Sequence, residues 1–194
     1  MALNSIGVLA ALCGWMSLST VLLLAGIATA AYAVRIFEPG ERAPKVKGVH
    51  SSFPVWIRLA YVWALVSAVL AIWASVSPTT PAGIWGASRH ALTVGFVAMM
   101  VFAVGQRILP AFSGMRLLFC TKLMFAAQLL LALGCFLRVS SEILAYQGYL
   151  PSAWSWLPVS AVIEMAAVTV FALNLVLTFS SRRNRATLTY REAA

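Results

Sequence analysis

The sequence predicts an all-α, polytopic integral membrane protein with five transmembrane helices. Hydrophobic residues make up 62% of the 194 residues and charged residues only 10%, and the mean hydropathy is +0.91. A soluble domain has roughly 45–50% apolar and about 25% charged residues. The apolar runs reach the roughly 20 residues that a helical span needs, and they are continuous, without the alternation of a membrane β-strand. Backbone polar groups in lipid need internal partners, so these runs are predicted to be helical.

Local signals place each span. We predict spans at about residues 3–34, 53–76, 88–109, 117–145 and 156–180, in one domain that covers residues 1–181 and precedes a basic tail at residues 182–194. The first span is long enough to cross with tilt, and it lacks the charged start of a cleaved signal peptide. Pro54 suits the first turn of the second span, with Trp56 and Trp73 near its ends as interfacial aromatics. Pro78 and Pro81 indicate a loop at residues 77–87.

The basic residues predict the orientation. If the loop after the first span is cytoplasmic, all but two of the 14 lysines and arginines lie on the cytoplasmic side, the exceptions being Arg89 and Arg138. Because Lys and Arg near span ends are retained inside, we predict an N-terminus outside and a C-terminus inside. The formal charge of +9 comes from basic residues that flank the spans, where they set the orientation. We therefore do not expect nucleic-acid binding.

Helical spacing predicts one polar stripe on each of the last three spans. The proposed stripes are His90, Thr93, Val97, Met100, Val104 and Arg107 on the third; Gln128, Leu131, Cys135, Arg138 and Glu142 on the fourth; and Ser160, Glu164, Ala167, Phe171, Asn174 and Thr178 on the fifth. Residues three and four apart lie on one helix face. The simplest interpretation is that these stripes are helix–helix contacts of a small bundle, which would account for Gln128 and Asn174.

The ionisable residues of these stripes are predicted to meet at the outer end of the bundle. His90 begins the third span, Arg138 and Glu142 end the fourth, and Glu164 lies a few turns inside the fifth. A lone carboxylate there would be costly, so Glu164 should be neutral or paired.

This arrangement suggests a haem b site. A histidine on a helix can ligate haem iron or copper, carry a proton or simply form a hydrogen bond. With His90 as the axial ligand, Arg89 and Arg138 would anchor propionates, and Glu142 and Glu164 would tune the site or relay protons. A second axial ligand would have to come from another helix, a second copy or a partner chain. Three isolated cysteines form no CxxC motif, and we expect them to be buried thiols.

Three stretches resemble the NnrS family, namely RHALTVGFVAMMVFAVGQRILPAFSG, FLRVSSEILAYQGY and WLPVSAVIEMAAVTVFALNL, which together cover about residues 88–179. These are bacterial membrane proteins linked to nitric oxide metabolism and described as containing haem and copper. The resemblance implies that His90 matches a family histidine and that Arg107, Arg138 and Glu142 match recurrent polar positions. It also implies a location in the bacterial inner membrane. The family usually has about twelve spans, and its first-half histidine cluster has no match in this chain.

The leading hypothesis is therefore an NnrS-like haem b protein, with copper as the alternative metal, in electron transfer or nitric oxide metabolism. It would lie in the lipid bilayer with other membrane subunits or a second copy. The main alternative is a cofactor-free structural or assembly subunit of a membrane complex. A transporter is less favoured, because no inverted repeat or pair of broken helices is evident. The absence of GxSxG, HExxH, Walker A and GxGxxG motifs argues against a hydrolase or transferase.

Overall fold

Six helices make up the part of the chain that the computed structural model describes, residues 2–38, 50–77, 81–112 and 118–192, and no strand occurs in these residues. Helix α1 is Ala2–Leu12, α2 is Met16–Ala33 and α3 is Phe53–Val76. Helix α4 runs through residues 81–112, α5 is Thr121–Tyr146 and α6 is Ala153–Glu192. Five of the six are long and apolar enough to cross a membrane, α1 being the exception. The prediction of an all-α, multi-pass membrane protein is confirmed; its orientation stays a prediction.

The first predicted span is two helices rather than one. The chain turns at residues 13–15, where Gly14 adopts a φ of 81° that strongly favours glycine. Helix α1 then packs back along α2, and glycines lie at the closest approaches. A Cβ atom at Gly7 would lie 3.3 Å from Leu22 Cβ, and one at Gly26 would collide with the side chain of Asn4. Only Met16–Ala33 of this region has the length of a span. Run length alone could not find the turn, because residues 13–15 are Cys, Gly and Trp and bring no charge into the apolar segment.

The third span begins earlier than the sequence predicts. Helix α4 starts at Pro81, so most of the loop expected at residues 77–87 is helical. Pro81 fits the first helical position, where its missing N–H removes no hydrogen bond. His90 thus lies about 14 Å along the helix from its start, at 1.5 Å per residue. The histidine expected at the edge of the membrane therefore lies well within the apolar helix.

Helix α4 changes its winding directly after His90. Residues Ala91–Ala98 form a π-helix, and α-helical winding resumes at Met99. The buried positions are consequently Ala91, Gly95, Met99, Phe102, Ala103 and Gln106, whereas Thr93, Val97 and Arg107 of the predicted stripe are exposed. The stripe predicted for the third span is wrong, because it assumed 3.6 residues per turn across a segment with a wider turn.

The other two stripes do face the bundle interior. On α5, Gln128, Leu131, Cys135 and Glu142 are buried and Arg138 is partly buried. On α6, Ser160, Ala167, Asn174 and Thr178 are buried, with Glu164 and Phe171 partly so. Both helices keep α-helical winding through these residues, so the 3-4 spacing was a valid guide. Helix α6 also continues to Glu192, into the region predicted as a basic tail.

Helices α3, α4, α5 and α6 share one apolar core. Trp63 and Leu70 of α3, Met99 and Phe102 of α4, and Leu131 of α5 are among its buried members. Phe102 stacks on Phe171 of α6 with ring centroids 4.2 Å apart. On either side of this apolar layer, a group of polar residues joins α4 to α6.

Candidate functional site

The shortest contact between charged side chains of the described residues joins α4 to α6. His90 Nε2 and Glu164 Oε1 lie 2.7 Å apart, a hydrogen bond that becomes an ion pair when the imidazole is protonated. Both side chains are partly buried, at 21% and 17% exposure. The sequence-based expectation that Glu164 needs a partner is met by this contact, because a paired carboxylate costs less to bury than a lone one. Sequence separation of 74 residues explains why no local pattern indicated the pair.

A second, longer ion pair lies on α5. Arg138 Nε and Glu142 Oε2 are 3.7 Å apart, one helical turn from each other. The Glu142 side chain is 11% exposed and that of Arg138 is 32% exposed. The Glu142 carboxylate lies against Gly86, one helical turn before His90 on α4, so the two ion pairs belong to one group. We call His90, Arg138, Glu142 and Glu164 the His90 cluster.

Two glycines let the helices approach closely enough to form this cluster. A Cβ atom at Gly86 would collide with the carboxylate of Glu142, and one at Gly134 would lie 2.6 Å from Glu164 Cγ. Gly83 makes the same kind of room for Tyr146 at the end of α5. Small residues at membrane helix contacts permit such close approach. The carboxylates are therefore held against helix backbones, in a space with no room for an added methyl group.

The site residues predicted from the sequence are mostly brought together. His90, Arg138, Glu142 and Glu164 share one region, as expected. Arg89 is exposed on the helix surface, and its carbonyl oxygen accepts a hydrogen bond from Thr93 Oγ1. Arg89 is adjacent to the cluster in sequence but points away from its buried side.

A second polar group lies toward the other end of α4, and sequence reasoning predicted its members on α6 but missed Gln106. Gln106 is 1% exposed, and its Oε1 accepts a hydrogen bond from Asn174 Nδ2 at 3.1 Å. Asn174 Oδ1 in turn accepts from the backbone N–H of Cys120, and Thr178 Oγ1 accepts from that of Phe119. We call Gln106, Asn174 and Thr178 the amide cluster. The stripe predicted for the third span does not include Gln106, because the π-helix that turns this residue inward has no recognised sequence signal.

The described residues contain no group of three or more His, Cys, Asp or Glu residues that could hold a metal ion. Of the three thiols, Cys13 is exposed, Cys120 intermediate and Cys135 buried, so the expectation of buried thiols is met only at Cys135. The other histidine, His50, bonds through Nδ1 to Ser52 Oγ at 2.7 Å and packs against Phe125. The His90 cluster thus offers one imidazole, that of His90, as a ligand for a metal ion.

The fold and this cluster define the class of the molecule, a multi-pass helical membrane protein with ionisable residues held between its helices. Residues 1–180 match the family model described as domain of unknown function DUF8744. The chain belongs to this family. No curated protein and no solved structure matches the chain.

Proposed function

We propose that the protein is an NnrS-like haem b protein of the bacterial inner membrane, with His90 as the axial ligand. The observation that supports this is the 2.7 Å contact between His90 and Glu164. A metal-ligating histidine usually bonds to a carboxylate or carbonyl through its second ring nitrogen, which fixes the orientation of the ring and raises its basicity. With Nε2 engaged by Glu164, Nδ1 is the nitrogen that would bind iron while the contact persists.

The residues present fit one axial ligand to a haem but not a complete metal site. His90 supplies one imidazole, and a lone histidine suffices as a proximal haem ligand. Copper would need further ligands that the described residues do not bring together. Because Gly86 and Gly134 leave no free space beside the carboxylates, the haem would bind at the accessible side of His90.

Each cluster residue has a role in this proposal. Bound haem would supply one-electron redox chemistry. Glu164 would orient the His90 ring, and Arg138 would compensate the negative charge of Glu142 and of a propionate. Arg89, which is exposed, would meet a second propionate at the surface. Electron transfer or nitric oxide metabolism would be the task, within a complex with other membrane subunits or a second copy.

An absorption spectrum tests this proposal. Protein purified in mild detergent from a haem-replete host should show a Soret band and a positive pyridine haemochrome assay. His90→Ala should abolish or shift the band, whereas His50→Ala, the matched control with the other histidine, should leave it unchanged. A folded wild-type protein without a Soret band would overturn the proposal.

The second candidate is a cofactor-free structural or assembly subunit of a membrane complex. The observation that favours it is that the His90 cluster bonds within itself and joins α4, α5 and α6 without any added group. A colourless wild-type protein that co-purifies with partner subunits, and still does so as His90→Ala, would support this candidate.

A further inference from the structure

The segment that follows His90 is wound differently from the rest of α4. Ala91–Ala98 is a π-helix between two α-helical stretches, Pro81–His90 and Met99–Phe112. π-Helices are rare and occur mostly as single turns, often at functional sites. Eight residues of this winding, beginning at the residue after His90, therefore need a physical explanation.

The winding decides which residues of α4 can reach α6. His90 and Gln106 are 16 residues apart, and both bond to α6, to Glu164 and to Asn174. In an uninterrupted α-helix they would point about 160° apart, at 3.6 residues per turn. With about 4.4 residues per turn over the π-helix, the angle falls to about 20°. The π-helix thus places both residues on one face of α4, so that both contacts can exist together.

Gly95 and Trp63 lie where the wide turn is made. The side chain of Trp63, on α3, occupies the space beside Gly95: a Cβ atom there would lie 2.6 Å from Trp63 Cγ and 2.7 Å from Trp63 Cβ. Trp63 is 8% exposed and belongs to the core. Glycine also weakens α-helical winding by about 1 kcal/mol relative to alanine. The residue type and its neighbour both favour a departure from α-helix at this position.

We propose that Gly95 and Trp63 are positioning residues that maintain the π-helix and so hold His90 against Glu164. They act through the winding of α4. The inference rests on the His90–Glu164 contact that the proposed function uses. It holds for that contact whether or not haem is bound.

Cross-linking of two residue pairs tests this directly. In a background with the three cysteines replaced by alanine, one protein carries His90→Cys with Glu164→Cys, and another carries Gln106→Cys with Asn174→Cys. A short bis-maleimide should cross-link both pairs in membranes. Adding Gly95→Ala should replace the π-helix by α-helical winding between positions 90 and 106, so that these positions no longer share one face of α4. The first cross-link should then be abolished and the second retained.

Gly105→Ala is the matched control on the same helix. A Cβ atom at Gly105 would make ordinary contacts, 3.7 Å from Phe171 Cζ and 3.9 Å from Leu109 Cδ1, so both cross-links should persist. Deleting Val97 in the Gly95→Ala protein should restore the first cross-link, since one residue fewer in an α-helix brings the two positions to about 60° apart. A merely destabilising substitution would not be rescued by a deletion.

If Gly95→Ala does not accumulate, Trp63→Ala provides the second variant, with the same selective loss expected. Retention of both cross-links in either variant would overturn the proposal, and so would loss of both together in a folded protein. A wild-type protein without a Soret band would remove the haem proposal and leave these outcomes unaffected.

Discussion

The His90 cluster and the amide cluster join the same three-helix region by different chemistry. In the His90 cluster, the side chains of His90, Arg138 and Glu164 remain partly exposed and that of Glu142 is buried. Gln106 and Asn174 are neutral amides with 1% and 0% exposure. A neutral amide can be buried completely once it is hydrogen-bonded, but an ionised group needs a partner or water. Of the two clusters, the His90 cluster is therefore the one whose side chains a ligand or a proton can reach. The following substitutions test this difference, ordered from the largest expected effect to the smallest.

Gly134→Ala should give the largest loss of stability, about 3 kcal/mol, because overpacked sites must shift side chains and backbone. The new methyl group would lie 2.6 Å from Glu164 Cγ and 3.3 Å from the backbone nitrogen of Glu164. Unfolding in mixed detergent micelles measures the effect, and Gly105→Ala is the control with no expected loss. A loss below about 1 kcal/mol would mean that α5 and α6 are less tightly packed beside the cluster.

Asn174→Ala should cost about 2 kcal/mol, since it removes two hydrogen bonds and leaves the carbonyl of Gln106 and the N–H of Cys120 without them. The matched control is Thr169→Ala on the same helix, where an exposed hydroxyl donates a hydrogen bond to the Met165 carbonyl. The same unfolding assay applies. Equal effects of the two substitutions would show that the amide cluster does not stabilise the helix contacts.

Glu164→Gln should cost less than Glu164→Ala, by about 1 kcal/mol, because glutamine can still hydrogen-bond to His90 and alanine cannot. Solid-state NMR of protein labelled with ¹⁵N-histidine should detect the loss of this hydrogen bond as a change in the resonances of the His90 ring. The substitution His50→Gln removes the only other histidine signal and so identifies that of His90. An unchanged His90 resonance in Glu164→Ala would contradict the 2.7 Å contact.

Arg138→Gln should have the smallest effect, below about 0.5 kcal/mol, because Arg138 is itself partly exposed and its ion pair with the buried Glu142 is long. Its Nε atom lies 3.7 Å from Glu142 Oε2, and the side chain is 32% exposed. In the haem proposal the same substitution should nevertheless weaken haem retention, through loss of a propionate partner. A large loss of stability without loss of haem would assign Arg138 to the fold instead.

The sequence predicted the residues of the His90 cluster but not their contacts. Arg138 and Glu142 share a helix and their spacing was visible, whereas the bond between His90 and Glu164 depends on how α4 and α6 pack. Gln106 was missed because the stripe on α4 was drawn at 3.6 residues per turn through a π-helix. The turn at Gly14 was missed because an apolar segment that folds back on itself has the same hydropathy as one that continues.

Composition and apolar run lengths determined the membrane class, the helical fold and the number of long spans, because lipid requires apolar side chains and internally bonded backbones. Only the tertiary structure decided which polar residues meet. That choice depends on the winding of α4, on Trp63 filling the space beside Gly95, and on glycines that let α5 approach Glu164 and α4 approach Glu142. These are contacts between residues far apart in the chain, and no local pattern encodes them.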